Sequence, residues 1–199
     1  IIIILTLLRQ YRIDPMSELK KVLIVTYYWP PAGGPAIQRT LKFVKYMRFF
    51  GWEPVILTVE NGEYPAIDPS LIQEIPDNIQ VYKTKAFQPF QLYRMLTGKK
   101  GNTHNNANVF GQKDKTFVER LAKWIRLNLF IPDARIGWYA YAVKAAKKII
   151  EQEHIDLIYS SSPPHSLQLI AQKIAKQNKI KWVADFRDCL LYTSDAADD

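Results

Sequence analysis

Short apolar runs bounded by turn formers alternate along this chain with stretches whose apolar residues recur every three or four positions, so strands and amphipathic helices are expected in alternation. Lys21-Val-Leu-Ile-Val-Thr26 is a continuous aliphatic and β-branched run, the pattern of a strand covered on both faces. It ends in Tyr27-Tyr-Trp-Pro-Pro-Ala-Gly-Gly-Pro35, a loop dense in turn formers. From Ala36 the residues Ile37, Leu41, Val44 and Met47 keep helical spacing, and Gly51 follows at a C-cap position. Pro54–Val59 reads as a second buried strand, 69–75 as a short helix and Ile79–Thr84 as a third strand. A short helix is expected over Phe87–Leu96 and an amphipathic one over Thr116–Leu129. Between them, Gly98–Asp114 has almost nothing to bury and is expected to be a mobile insertion. Gly137–Gln152 is a further helix, with Ala142, Val143, Ala146, Ile149 and Ile150 on one stripe. Ile155–Ser160 is a strand, and Ser162 is expected to cap the next helix with Pro163 at its first position. Lys181–Ala184 is the last strand, followed by Asp185-Phe-Arg-Asp188.

This alternation predicts an α/β, Rossmann-like domain over about residues 17–188, with a mostly parallel sheet and helices on both faces. Composition agrees: 199 residues with 48% hydrophobic content can fill one core, which excludes disordered and low-complexity classes. A single cysteine, Cys189, cannot form an internal disulfide, so the reducing cytoplasm is the expected compartment. No Cys/His cluster has metal spacing, so no metal is expected. The longest apolar stretch, Ile1–Leu8, falls well short of the roughly 18 residues a membrane span needs.

Both ends read as foreign to that domain. Met16 precedes Ser17-Glu-Leu-Lys-Lys and the first strand, so residues 1–15 are read as upstream sequence translated in frame. The rival reading is an extra strand or a membrane-adhering segment. Residues 189–199, Cys-Leu-Leu-Tyr-Thr-Ser-Asp-Ala-Ala-Asp-Asp, resemble translated sequencing-adapter read-through and hold three of the 19 acids. The chain is therefore read as an N-terminal fragment.

In open parallel sheets ligands bind beyond the C-terminal strand ends, and three unusual segments lie there. Gly33 and Gly34 precede a helix N-terminus, where glycines admit close backbone approach and unpaired N–H groups attract anions such as diphosphate. A tight turn without a ligand explains them equally well. Neither Gly-x-Gly-x-x-Gly nor a Walker lysine is present. His165, within Ser160-Ser-Ser-Pro-Pro-His-Ser166, is either a hydrogen-bonding group for a hydroxyl or phosphate or a local turn contact. His104 and His154 lack such a setting. Asp185, Arg187 and Asp188 either close the strand end as an internal ion pair or orient a polyol or phosphate. Pro132-Asp-Ala-Arg-Ile-Gly-Trp138 reads as a structural helix entry, with Asp133 and Arg135 available to the crevice.

Those segments together resemble the N-terminal half of a family 4 glycosyltransferase of GT-B architecture, of the bacterial surface-polysaccharide type. The likeness is carried by Val22–Arg39, Pro132–Trp138, Ser160–Ser166 and Asp185–Asp188, and covers about Lys21–Asp188. It implies a two-domain enzyme that passes a sugar from a nucleotide-sugar donor to a glycan or polyprenyl-linked acceptor, with this half on the acceptor side. It also implies that Gly33 and Gly34 approach the donor diphosphate, that His165 lies beside the transferring sugar, and that Ser162, Asp185, Arg187 and Asp188 line the cleft. The donor-binding basic pair of such enzymes belongs to a C-terminal domain with no counterpart here, so no turnover is expected from this chain alone. A GT-B sugar-nucleotide epimerase, or a non-enzymatic basic module at a membrane surface, is the competing reading. The formal charge of +8 is either a solvated basic face or adhesion to an anionic inner leaflet through Thr116–Leu129, with Phe117 and Trp124. No nucleic-acid recognition motif is present, and no nucleic-acid partner is expected.

Overall fold

The computed structural model describes residues 19–60, 62–64, 66–87 and 131–187. The terminal segments, the insertion, and the helices expected over Phe87–Leu96 and Thr116–Leu129 therefore lie outside the described residues, except for Phe87. The fold is a five-stranded, all-parallel sheet in the order β3-β2-β1-β4-β5. Its strands are β1 (Lys20–Val25), β2 (Trp52–Val59), β3 (Gln80–Thr84), β4 (Leu157–Ser162) and β5 (Lys181–Phe186). The helices are α1 (Pro35–Met47), α2 (Tyr139–Glu153) and α3 (Ser166–Asn178).

Side chains alternate across each strand, and β1 shows how this sets the layers. Leu23 and Val25 pack with Ala142, Ala146 and Ile149 of α2 and with Leu167, Ile170 and Ile174 of α3. Val22 and Ile24 pack on the opposite face with Ile37, Leu41 and Val44 of α1. Helices thus cover both faces, which is why β1 and β2 are apolar almost throughout.

Three boundaries differ from the sequence expectation. The helix after β1 ends at Met47 and passes into a 3₁₀ turn, Arg48–Phe50, and it is this turn that left-handed Gly51 closes (φ 77°). β4 runs through Ser162, so Ser162 is not a helix cap; α3 begins at Ser166, and Pro163 lies before it. β5 extends through Phe186, so Asp185 belongs to the strand itself. Among the described residues no helix is long and apolar enough to cross a membrane.

Candidate functional site

The chain leaves β1 outward to β2 and β3, then returns on the other side of β1 to β4 and β5. The connections after β1 and β4 therefore diverge, the arrangement that in open parallel sheets leaves room for a ligand beyond the neighbouring strand ends. The glycine loop follows β1, the histidine turn follows β4, and Asp185 and Arg187 close β5. All three segments lie at one edge of the sheet.

The two glycines serve different purposes. A strap of residues 66–68 runs antiparallel to the loop: Ala32 bridges Ile67, the Gly33 N–H donates to the Ala66 carbonyl at 3.0 Å, and the Asp68 N–H donates to the Pro31 carbonyl at 2.8 Å. A β-carbon on Gly33 would lie 3.2 Å from Cβ of Asp68, so the strap accounts for this glycine. Gly34 is exposed, with φ 117° and ψ 168°, a conformation essentially restricted to glycine. Its carbonyl accepts from the Ile37 and Gln38 N–H groups and so starts α1.

His165 is half-buried at the α3 N-cap, and its ring makes no hydrogen bond to a described residue. The cap is supplied instead by Asp133, which accepts the Ser166 N–H at 2.7 Å and the Ser166 hydroxyl at 3.0 Å. Asp133 also accepts the Arg135 N–H at 2.8 Å. Arg135 in turn pairs with Glu63 at 3.0 Å, donates to the Glu63 carbonyl at 2.9 Å and lies over the Tyr27 ring. Both polar residues of Pro132–Trp138 are thus structural.

Asp185 is the centre of the site. Its Oδ2 accepts the Tyr159 hydroxyl at 2.8 Å and the Ser161 hydroxyl at 2.9 Å, while Nη2 of Arg39 reaches both oxygens at 3.1 and 3.2 Å. Burial, followed by the neighbouring Asp185 charge, pushes the Tyr159 phenol well above its ordinary range, so it acts as a fixed donor. Nε of Arg187 donates to the Ser162 carbonyl at 3.1 Å and stands 4.0 Å from Oδ2 of Asp185. The Ser162 hydroxyl is fully buried, 3.5 Å from the Asp185 carbonyl, so what Ser162 offers the site is its carbonyl grip on Arg187. Asp188 lies outside the described residues.

Sequence reasoning did not single out Arg39. It ends the quoted motif Val22–Arg39 and stacks on Phe43 four residues later (5.3 Å to the ring centroid), an i, i+4 pairing visible in the chain. A pocket of about 400 Å³ was also missed; it lies over the ends of β2 and β3 between Trp29, Pro31, Glu60, Tyr64 and Lys83. Its walls are far apart in sequence, and of those named only Trp29 and Pro31 fall in a segment the sequence marks out.

With hydroxyls and a guanidinium already filling its acceptor positions, Asp185 is not placed to act as a base. The arrangement presents cations and a helix N-terminus, a setting for an anion rather than for a side-chain nucleophile. Among the described residues no group of three or more His, Cys, Asp or Glu side chains could hold a metal ion.

No protein-family profile matches the chain, and no curated protein does. Ten solved chains match. One is the C-terminal domain of a hydrogenase from Pyrococcus furiosus, at 12% identity and TM-score 0.41, covering 86% of this chain and 95% of that one. Another is a glycosyltransferase from Rickettsia africae, at 15% identity and TM-score 0.40, covering 84% of this chain. This chain spans 30% of that glycosyltransferase.

Proposed function

We propose that this chain is the acceptor-side half of a nucleotide-sugar-dependent glycosyltransferase of family 4 and GT-B type, acting in cell-surface polysaccharide synthesis. The observation that carries the reading is the meeting of the glycine loop, the histidine turn and the Asp185–Arg187 strand end at one edge of a parallel sheet, on either side of its switch point. Gly34, exposed at the start of α1, would approach the donor diphosphate, while Gly33 holds the loop to its strap. His165, its ring unpartnered by described residues, would hydrogen-bond a hydroxyl of the transferring sugar. Asp185 and Arg187 would line the acceptor side together with Asp188. Charge developing on the leaving diphosphate would be met by guanidinium groups and the α1 N-terminus, set in advance where that charge appears. The reading calls on no metal or other cofactor. It locates the reaction in the cytoplasm, at the inner face of the membrane where a polyprenyl-linked acceptor resides.

The test is a protein extended by the genomic sequence downstream of the Asp188 codon. It is assayed with pooled labelled nucleotide sugars and a polyprenyl-linked acceptor. The extended protein should transfer sugar and the 199-residue chain should not. His165→Ala should lower turnover more than acceptor affinity. A downstream sequence lacking a second Rossmann-like half, transfer by the short chain alone, or release of a C2-inverted sugar nucleotide would each overturn the reading.

A further inference from the structure

We propose that Arg39 and Arg187 form a phosphate clamp, held open by Asp185, that takes a phosphate group of a substrate at the β1–β4 switch. The guanidinium groups come from opposite sides of the crevice, Arg39 from α1 behind the glycine loop and Arg187 from the end of β5, and both converge on one oxygen, Oδ2 of Asp185. That carboxylate cannot satisfy both. Its side chain is only 11% exposed and already accepts from the Tyr159 and Ser161 hydroxyls and from Arg39. At 4.0 Å, Nε of Arg187 is beyond hydrogen-bond reach of it and donates to the Ser162 carbonyl instead. One negative charge thus faces two positive ones among the described residues, and the excess is positive.

The donors left over point to the same class of ligand. Nε of Arg39 is buried without a partner and is the one such side-chain atom among the described residues. An orphaned buried N–H is unfavourable, and a small outward swing toward an anion would relieve it. The Arg39 and Arg187 side chains are 31% and 17% exposed, and neither Nη1 of Arg39 nor the terminal nitrogens of Arg187 hydrogen-bond a described residue. Two planar guanidinium forks flanking one crevice suit a tetrahedral oxyanion, which each can contact through paired N–H groups. Phe43 under Arg39 and the Ser162 carbonyl on Arg187 restrict the two forks in advance of binding. A structural strut would need only one arginine on the carboxylate.

The clamp stands on this geometry; assigning its phosphate to a donor diphosphate or to a phosphorylated acceptor rests on the glycosyltransferase reading. The probe is inorganic pyrophosphate, titrated calorimetrically into the full 199-residue chain at low salt. Arg39→Gln and Arg187→Gln should each weaken binding at least about tenfold. Lys42→Gln makes the same charge change on α1 at a residue paired with Glu74, and should weaken binding less than about twofold. Arg39→Lys, which keeps the charge but loses the fork, should fall between; it also serves if Arg39→Gln lacks the native circular-dichroism spectrum. No binding by the parent chain, or equal losses in all three glutamine variants, would overturn the clamp. Displacement of the probe by nucleoside diphosphates assigns the site to the donor, and displacement by polyprenyl phosphate in detergent assigns it to the acceptor. Displacement by neither refutes a substrate phosphate. Arginine-dependent pyrophosphate binding in a protein whose extended form transfers no sugar would sink the transferase reading and leave the clamp. Full transfer by Arg187→Gln would do the reverse.

Discussion

Replacing Asp133 by alanine tests how the histidine turn is held. α3 has no side-chain cap of its own, since its N-cap residue is His165 and contributes none. Asp133, 33 residues earlier, receives both the N–H and the hydroxyl of Ser166, at 2.7 and 3.0 Å, and Ser166 is 1% exposed. Losing a helix cap costs about 1 kcal/mol and up to about 2, and a hydrogen bond to a charged acceptor contributes about 1.5–3 kcal/mol. Because water can reach half-buried Asp133 and recover part of this, the expected loss for Asp133→Ala is about 2–3 kcal/mol. Asp133→Asn keeps one acceptor oxygen but turns an amide toward a donor, so about half that loss is expected. Ser166→Ala retains the capped N–H and should lose less than about 1 kcal/mol. Urea denaturation followed by circular dichroism, with an unchanged denaturant slope, measures all three. A loss for Asp133→Ala no greater than that for Ser166→Ala would refute the assignment of the cap.

The glycines separate by backbone geometry. Gly34→Ala should destabilise by about 1–3 kcal/mol because φ 117° is foreign to alanine, whereas Gly33→Ala need only displace Asp68 by a few tenths of an ångström and should cost less than about 1 kcal/mol; equal losses in thermal melts would contradict this. The raised Tyr159 phenol makes a share of stability that is complete below the unfolded tyrosine value of about 10 and is lost as pH rises above it. Tyr159→Phe should therefore be less stable near neutrality, where Asp185 loses a donor, but should decline above pH ~10 by up to about 1.4 kcal/mol per pH unit less than the parent. Parallel curves above that pH would refute it. Trp138→Phe removes an indole 1% exposed and its 2.7 Å hydrogen bond to Thr84, so a loss of about 1–3 kcal/mol is expected in the same denaturation assay; a loss under about 0.5 kcal/mol would mean that the indole is not anchored.

The fold was legible in the sequence where burial is two-sided. β1 and β2 are apolar on both faces because helices cover both, and α1, α2 and α3 repeat their apolar residues at the spacing of one buried face. Legibility failed where polar groups are buried by partners distant in the chain. Ser161 and Ser162 read as lying beyond the strand that ends at Ser160, yet they are the end of β4, and all three serines are at most 6% exposed. The Ser160 hydroxyl is held between Gln168 and Trp182, and that of Ser161 by Asp185. The Ser162-Pro163 pair has the local signature of a helix start, while the real start is fixed by Asp133 through contacts that no short window contains. The same holds for Arg39: its pairing with Asp185 spans 146 residues and exists only because α1 and β5 reach one edge of the sheet.

This distance dependence bears on how the site can move. Asp133 fixes the turn that carries His165, and Arg135, two residues on, fixes Glu63 in the wall of the 400 Å³ pocket. The segment between them is anchored behind by Trp138 on Thr84 at the end of β3. The histidine turn and the pocket wall therefore share one support, and a displacement of residues 133–135 carries both. The glycine loop is tied to the 66–68 strap and, through Tyr27 against Arg135 and Trp138, to this same support, while Arg39 joins α1 to β5 through the Asp185 carboxylate. A ligand that draws Arg39 away from Asp185 would loosen α1 against the β4–β5 side without disturbing the 133–135 bracket. The α1 side and the β4–β5 side are joined both by the Arg39–Asp185 ion pair and by the Phe43–Tyr159 ring contact at 5.9 Å, so the proposed clamp would loosen the first on binding an anion and leave the second in place.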